Sequence, residues 1–474
     1  MYKYLLCWRY LKTRYIALAS VISVMLGVAT MIVVNSVMAG FGEKMRDRLH
    51  GVLADVVVES NSLDGFYNWE EVMARVKQVG GDDVLAQAPT METPGIIHFR
   101  FPGQHVITHP VQIIGVRPED RAKTGDFGEF LFDEKNQKIA PSFKVDDKLK
   151  QMTPAYDLLK EYPKESKDPI EQMMIDELKK QVEEQAPDEG TIIGYALATH
   201  HVGKNLPDRF IAPPGTKVGL LFPMAGKVKS EGGYDSFTVV GYFKSGMSEY
   251  DSTHVYVPLE RLQDQRRLRD VNGRGAVNQI QIKVRPGVEL AGLAQKIQVS
   301  LEELNPLTFR VYTWEQKQGP LLGAVSIEQG ILNILLFLII AVAGFGILAI
   351  FSMIVVEKTR DIGVMKALGA STAGIRGIFL SYGLLLGAVG SGVGMVGGLL
   401  FVRYINEIEK ALSVVMHRKV FDDTIYYFDK IPTVIQPFTV FWIVTGALLI
   451  AVIASIWPAQ RAAHLHPVKS LRYE

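Results

Sequence analysis

The chain has 474 residues, and its 51 lysines and arginines almost balance its 50 aspartates and glutamates, so the formal net charge is +1. This balance excludes a simple nucleic-acid-binding protein, because such proteins need a basic excess to bind phosphates. The charges are unevenly distributed, and the uncharged stretches are 15–42, 329–356, 377–402 and 431–460. The composition therefore indicates a membrane part and a separate, well-charged soluble part.

Each uncharged stretch is long enough to cross a bilayer, because about 20 apolar residues in a helix span roughly 30 Å of hydrocarbon. A buried helix of that length in a soluble protein would show a polar face, and these stretches show none. The first stretch is about twice as long as the apolar core of a signal peptide, and Ala39–Gly42 offers no convincing cleavage site. The sequence predicts four transmembrane helices, with the first one uncleaved.

Basic residues in the short flanks predict the orientation of these helices. The tail 1–14, the loop 357–376 and the tail 461–474 together carry eleven lysines and arginines, against five in the loop 403–430. We therefore expect both termini and the loop 357–376 to be cytoplasmic. Residues 43–328, between the first and second spans, would then lie outside.

This large outer segment predicts an α+β domain, because short runs rich in β-branched and aromatic residues alternate with helical patterns. The predicted strands are Ala54–Glu59, Gly95–Phe101, Val111–Val116, Thr216–Phe222, Phe237–Phe243, His254–Val257, Gln279–Val284 and Phe309–Tyr312. The predicted helices are Trp69–Val79, Leu259–Arg269 and Glu289–Leu304. Residues 118–190 are dominated by charged residues and prolines, and predict a solvated insertion with short helices, such as Ile170–Gln185.

The sequence shows no catalytic, nucleotide-binding or metal-binding motif. No glycine precedes a Lys-Ser or Lys-Thr pair, so there is no P-loop. The spacing of His98, His105 and His109 fits no compact zinc pattern. The four spans contain no ionisable residue, which disfavours an ion pathway. We expect no enzyme active site and no bound cofactor, and any ATP would be hydrolysed by another chain.

Small residues form a pattern in the third span. The glycines that would share one face of this helix are Gly383, Gly387, Gly390, Gly394 and Gly398. A face of this kind lets another helix backbone approach closely, either in static packing or in sliding.

The loop after the second span predicts a short amphipathic helix. Its sequence over 357–371 is EKTRDIGVMKALGAS, in which Ile362, Met365 and Leu368 recur at a spacing of three. Gly369 is a suitable helix end and Ser371 a suitable cap for the next helix. From periodicity alone, this helix either couples to a partner or merely connects two spans.

The loop and the glycine-rich span that follows resemble the coupling region of the MacB/FtsX class of ABC transporter permeases. The C-terminal sequence WPAQRAAHLHPVKSLRYE, over 457–474, is similar to the closing motif of that class. The runs NSVMAGF (35–41), TWEQ (313–316) and YYFDKIP (426–432) resemble the lipoprotein-releasing (Lol) permeases of LolC and LolE type. The likeness covers both ends of the chain, whereas the charged insertion departs from the pattern.

The resemblance implies a non-catalytic, mechanotransmitting permease in the inner membrane of a bacterium. A separate cytoplasmic ABC ATPase dimer, which binds ATP and Mg²⁺, would grip the loop helix. The coupling residues would be Glu357, Lys358, Arg360, Asp361, Ile362, Met365, Lys366 and Leu368.

The resemblance also implies a second permease subunit, which is the same chain or a similar one. Acyl chains of a lipoprotein would leave the membrane lipid through a cavity between the first and second spans of the two subunits, and would pass to a periplasmic carrier. The cavity residues would be Met38, Phe41, Met45, Leu322, Ile327 and Ile331. Two alternatives stay open: a MacB-like or FtsX-like mechanotransmitter for efflux or cell-wall hydrolase control, and a membrane-anchored structural or receptor domain without a motor.

Overall fold

The structure, a computed structural model, divides the chain into two compact units. The residues it describes are 15–100, 106–146, 172–176, 189–200, 209–226, 232–304, 308–416 and 430–466. A helical unit takes in the described residues up to Met45 and those from Leu321 onward, and a sheet unit spans Arg46–Pro320.

The elements are numbered in chain order. The helices are α1 (Tyr15–Val52), α2 (Trp69–Gly80), α3 (Pro118–Thr124), α4 (Tyr195–Ala198), α5 (Ser248–Asp251), α6 (Leu259–Gln265), α7 (Leu290–Glu302), α8 (Trp314–Lys317), α9 (Gly319–Glu357), α10 (Thr359–Ala367), α11 (Thr372–Arg403), α12 (Ile405–Met416) and α13 (Pro437–Ala463). The strands are β1 (Val56–Ser60), β2 (Val84–Arg100), β3 (Val106–Val116), β4 (Leu131–Phe132), β5 (Gly190–Gly194), β6 (Thr199–His200), β7 (Arg209–Phe210), β8 (Lys217–Pro223), β9 (Gly232–Phe243), β10 (His254–Pro258), β11 (Gln279–Val284) and β12 (Phe309–Thr313).

The sheet unit is built on one 10-stranded mixed sheet. Its strand order is β12-β1-β11-β2-β3-β10-β5-β9-β4, and β8 pairs with both β2 and β9. This double pairing closes β2, β3, β10, β5, β9 and β8 into a ring. At the β12 edge, the backbone N–H of Val311 donates to Gln298 Oε1 on α7 at 2.7 Å.

The core of the sheet unit explains why these strands form. Val56, Val57 and Val58 of β1 are all fully buried, as expected for a strand covered on both faces. On α2, Val72 and Val76 are buried four residues apart. Burial of each such side chain stabilises the folded sheet unit by about 1.5–3 kcal/mol.

The predicted α+β domain is confirmed, with shifts at element boundaries. The longest strand, β2, begins at Val84 rather than Gly95. Pro89 and Pro94 lie inside this strand, and proline is disfavoured in strands, so the sequence signal was weak there.

The prediction of a solvated insertion starting at residue 118 is wrong for its first part. Phe127, Leu131 and Phe143 are buried in one cluster with Phe243 and Tyr256, and β4 pairs with β9. The many charges of this segment concealed its few buried residues. Residues 147–171 and 177–188 lie outside the described residues, and 172–176, inside the predicted helix Ile170–Gln185, are helical.

The helical unit contains the predicted membrane helices. Within the described residues, four helices are long and apolar enough to cross a membrane: Leu18–Val52, Gly319–Glu357, Thr372–Arg403 and Pro437–Ala463. The predicted α-helical architecture with four such helices is therefore confirmed.

The region before the fourth helix differs from the prediction. α13 begins at Pro437 rather than at residue 431, because proline suits the first turn of a helix and disfavours helix in the residue before it. The preceding segment lies against α1, where Val434 N–H donates to Ser36 O at 2.9 Å. The amphipathic helix α12 occupies part of the predicted loop 403–430 and was not predicted.

Candidate functional site

The short helix α10 packs one face into the helical unit. Ile362 is fully buried, in a cluster that includes Phe351, Ile375 and Phe379. Thr359 is also buried, and its hydroxyl donates to Val355 O at 3.1 Å. Met365 is half-buried against the same cluster. These contacts fix the orientation of α10 relative to the long helices that flank it in the chain.

Lys366 attaches α10 to the end of α13. Its Nζ donates to Ala463 O at 2.6 Å and to Leu465 O at 2.7 Å. The last carbonyls of a helix have no partner within the helix and carry partial negative charge, so a lysine satisfies them well. The structure thus places Lys366 in an internal contact rather than on an outward face.

The other face of α10 is open. Arg360, Asp361 and Val364 are exposed, and Lys358 Nζ lies 2.8 Å from Asp361 Oδ2. Leu368 is 82% exposed because the helix ends at Ala367.

The predicted coupling residues are therefore divided between two faces. The expected stripe of Ile362, Met365 and Leu368 is not a single buried face, because Leu368 follows the last residue of α10 and is exposed, whereas Ile362 is buried. Glu357 ends α9 and is exposed.

The predicted cavity residues lie on α1 and α9. Met38, Phe41, Met45 and Leu322 are half-buried. The two helices contact each other through Gln329, whose Nε2 donates to Met38 O at 3.3 Å.

Beyond this contact, α9 presents a broad apolar surface. Its exposed large side chains include Ile327, Ile331, Ile334, Leu335, Phe337, Leu338, Ile339, Val342 and Phe345. Ile327 is 67% exposed and Ile331 55%. Within the described residues of this chain, these side chains remain exposed.

The five glycines predicted to share one face of α11 are all buried, but they face two different helices. A Cβ atom added at Gly383 would lie 1.9 Å from Ser455 Oγ, and one at Gly387 would lie 2.7 Å from Ala451 Cβ, both on α13.

Gly390, Gly394 and Gly398 face α1 instead. At Gly394, an added Cβ would lie 2.6 Å from Met25 O, which is closer than side chains tolerate. The sequence pattern suggested one helix face against one neighbour, whereas α11 packs closely against α1 and α13 together.

Comparison of the sequence with known protein families indicates the class of protein that this chain resembles. The family model described as FtsX-like permease C-terminal matches residues 333–467, which include α10, α11 and α13. This part of the chain is thus similar to the C-terminal domain of FtsX-like permeases, and its long apolar helices are typical of a transmembrane protein.

Individual relatives narrow this class. The chain is 26% identical to the lipoprotein-releasing system transmembrane protein LolC of Xylella fastidiosa over 465 residues, covering 97% of this chain and 94% of the relative. It is 29% identical to LolE of Haemophilus influenzae over 178 residues, covering 38% and 43% of the two chains. It is 28% identical to the macrolide export ATP-binding/permease protein MacB of Bdellovibrio bacteriovorus over 213 residues, covering 43% and 29%. The resemblance to the MacB/FtsX class, and within it to Lol permeases, is confirmed.

Proposed function

We propose that the chain is the permease subunit of an ABC transporter that extracts lipoproteins from the inner membrane and hands them to a periplasmic carrier. A separate cytoplasmic ATPase dimer, with its ATP and Mg²⁺, drives the extraction, and a second permease subunit completes the complex. The chain crosses the membrane four times with both termini in the cytoplasm. It binds no cofactor of its own.

The observation that carries this proposal is the length of the likeness to LolC. It extends over 97% of the chain, and therefore over the sheet unit as well as the long helices. The likeness to the macrolide exporter covers 43% of the chain. A function that depends on both units is better supported by the longer match, so the alternative of an efflux or hydrolase-control mechanotransmitter is less favoured.

Energetics explain why extraction needs a motor. An acyl chain of about 14 buried methylenes costs about 11 kcal/mol to transfer into water, at about 0.8 kcal/mol for each methylene. A lipoprotein with three such chains therefore needs on the order of 30 kcal/mol. Spontaneous escape is negligible, and the apolar surface of α9 around Ile327 and Ile331 offers the acyl chains shelter.

The open face of α10 is the proposed contact with the ATPase. Arg360 and Asp361 provide charge and Leu368 provides an exposed apolar side chain. Because Lys366 holds the end of α13, its charge reversal would damage the fold, and Arg360 is the better residue for a test.

The proposed contact between α10 and the ATPase is tested by co-purification of the chain with its ATPase. We expect Arg360→Glu to lower the amount of bound ATPase by about tenfold, which corresponds to about 1.4 kcal/mol. The matched control is Arg403→Glu, which makes the same charge change at an exposed arginine at the other end of α11. If Arg360→Glu binds the ATPase as well as Arg403→Glu does, α10 is not the coupling helix.

The cargo is tested by photo-crosslinking. A photoreactive amino acid at Ile331 should capture lipoprotein during ATP turnover, since this position lies on the proposed acyl surface. The matched control position is Leu449 on α13, which is similarly exposed at 57%. Equal capture at both positions would mean that lipoprotein touches these helices without a defined path, and capture at neither would refute the cargo assignment.

A further inference from the structure

The C-terminal end of α1 is held inside the sheet unit by contacts to its last carbonyls. Gly51 O accepts from Asp126 N–H at 3.0 Å, and Val52 O accepts from Arg121 Nη2 at 2.6 Å. One turn earlier, Arg48 donates to Gly246 O. The final carbonyls of a helix are unsatisfied within the helix, so the segment around Arg121 serves as its cap.

Arg121 is an unusual residue for this position. Its side chain is buried, with 4% of the residue exposed, and burial lowers the pKa of its guanidinium. Its second hydrogen bond runs from Nη1 to Thr124 Oγ1 at 3.3 Å. A buried cation is costly, and the negative end of the α1 dipole offsets part of that cost. Arg121 therefore stabilises the C-terminal end of α1 by its charge and by its hydrogen bond to Val52 O.

The chain that leads into α9 is fixed in the same region. Trp314 is buried, and its ring stacks on the ring of His50 from α1 with centroids 5.0 Å apart. Gln318 Nε2 donates to Tyr250 Oη at 2.9 Å. Because Tyr250 and Gly246 belong to one short segment, 245–251, this segment holds both Gln318 and Arg48.

Asp55 connects these contacts to the sheet. Its Oδ1 lies 2.5 Å from His50 Nε2, and its Oδ2 accepts from Val284 N–H of β11 at 2.7 Å. Its backbone carbonyl accepts from Trp314 N–H at 3.1 Å. Burial opposes ionisation of this carboxyl, but the hydrogen bonds from His50 and Val284 outweigh it and lower its pKa.

We infer that these contacts form a rigid joint, composed of residues 46–55, 313–318, Arg121 and the segment 245–251. The joint makes the end of α1 and the start of the α8–α9 segment move as one body with the sheet. Arg121 is its positioning residue: when it is lost, a displacement of α1 no longer reaches the sheet in full. This inference rests on the proposed function, since it names the residues that convert ATP-driven movement into lipoprotein release.

The first test compares ATP hydrolysis with lipoprotein release in the reconstituted complex. For Arg121→Met we expect release to fall by about tenfold while hydrolysis stays within about twofold of wild type. Arg121→Lys, which keeps the charge, should restore part of the release. The matched control is Arg117→Met. Arg117 is an exposed arginine that directly precedes α3, the helix containing Arg121, and pairs with Glu260. This variant should behave like wild type.

A joint in which Arg121 only stabilises the fold would give a different result. Hydrolysis and release would then fall by the same factor, in step with the amount of folded complex, and the inference would be overturned. Unchanged release in Arg121→Met would overturn it as well. Failure of the wild-type complex to release lipoprotein would instead count against the proposed function.

A second test does not depend on removing a buried residue. Arg46 and Glu315 lie 3.9 Å apart across the joint and are more than half exposed, so Arg46→Cys with Glu315→Cys can be bridged by a short thiol crosslinker. Cys7 is the single natural cysteine and would be replaced by serine. A joint that stays closed predicts release within about twofold of the unbridged protein. A loss of about tenfold or more after bridging would show that the two segments separate during the cycle, and the inference would be wrong.

Discussion

The sheet unit and the helical unit distribute their large apolar side chains differently. In the sheet unit, the largest fully buried residues include Tyr242, Tyr256 and Phe237. In the helical unit, five glycines of α11 are buried, whereas Phe345 on α9 is 70% exposed and Trp442 on α13 is 57% exposed.

The difference follows from the solvent of each unit. In water, burial of a large apolar side chain is strongly favourable. In lipid, an apolar side chain gains little from burial, and helices associate where small residues let their backbones approach. Large apolar side chains that are exposed on helices whose glycines are buried are therefore typical of a unit surrounded by lipid.

The largest loss of stability is expected for a substitution at a point where two helix backbones are in close contact. Gly394→Ala would place a Cβ 2.6 Å from Met25 O, and relieving this overlap should cost about 3 kcal/mol. The midpoint of thermal unfolding of the detergent-solubilised protein should fall clearly.

The matched control for this change is two residues away on the same helix. Gly392 has open space around an added Cβ among the described residues, so Gly392→Ala should leave the midpoint unchanged or raise it through helix propensity. Equal destabilisation by the two changes would contradict the idea that close approach, rather than glycine content, holds this unit together.

In the sheet unit, the half-buried His254 should make stability depend on pH. Burial lowers the pKa of His254 to about 4, whereas a histidine in an unfolded chain titrates near 6.5. At His254 the unfolded state therefore binds more protons between these pH values, and the contribution of this residue to stability is lost as the pH falls. Between pH 7 and pH 5 this loss is at most about 2 kcal/mol.

The measurement is chemical unfolding at pH 7 and pH 5 for the wild type and for His254→Phe. The variant should lose less stability on acidification than the wild type does. The same loss in both proteins would assign the pH dependence to other groups.

A smaller effect is expected for a buried hydroxyl. Tyr242 Oη donates to Ala212 O at 3.0 Å inside the sheet unit. Tyr242→Phe leaves this carbonyl without its partner and should cost about 1–2 kcal/mol. Tyr234→Phe removes a hydroxyl from a tyrosine that is 55% exposed, and should change the free energy of unfolding by less than about 0.5 kcal/mol. If Tyr242→Phe lowered the free energy of unfolding less than Tyr234→Phe does, the buried hydroxyl would not contribute more than the exposed one, and the prediction would be wrong.

The smallest effect is expected on the outer face of α9. Phe345→Ala should change the stability of the isolated, detergent-solubilised chain by less than about 0.5 kcal/mol, although the same truncation in a core costs about 3–5 kcal/mol. The thermal midpoint of the monomer checks this. A loss near the core value would mean that this face is already covered in the purified chain.

The sequence was most informative where hydrophobicity alone decides the structure. Four long uncharged stretches predict four membrane helices because backbone polar groups in lipid must be satisfied within a helix. The ends were harder to predict, since residues 431–436 are as uncharged as a span but lie extended against α1, and α1 itself continues through charged residues to Val52.

Some charged residues were predicted to be exposed, but the structure places them in internal contacts. Arg121 was included in a solvated insertion, and Lys366 was placed on the coupling face, yet each one satisfies the end of a long helix. A sequence shows that a residue is charged, but not that the carbonyls of a helix end lie beside it. The exposed positions Arg360 and Leu368 could be distinguished from Lys366 only in three dimensions.

The contact between Gln298 and Val311 has a further consequence for the sheet unit. An unpaired edge strand is a template on which any extended polypeptide can add itself as a further strand. By occupying one of the free N–H groups of β12, Gln298 makes this edge a poor template. The sheet unit is thereby protected at this edge against pairing with other polypeptides through their backbones.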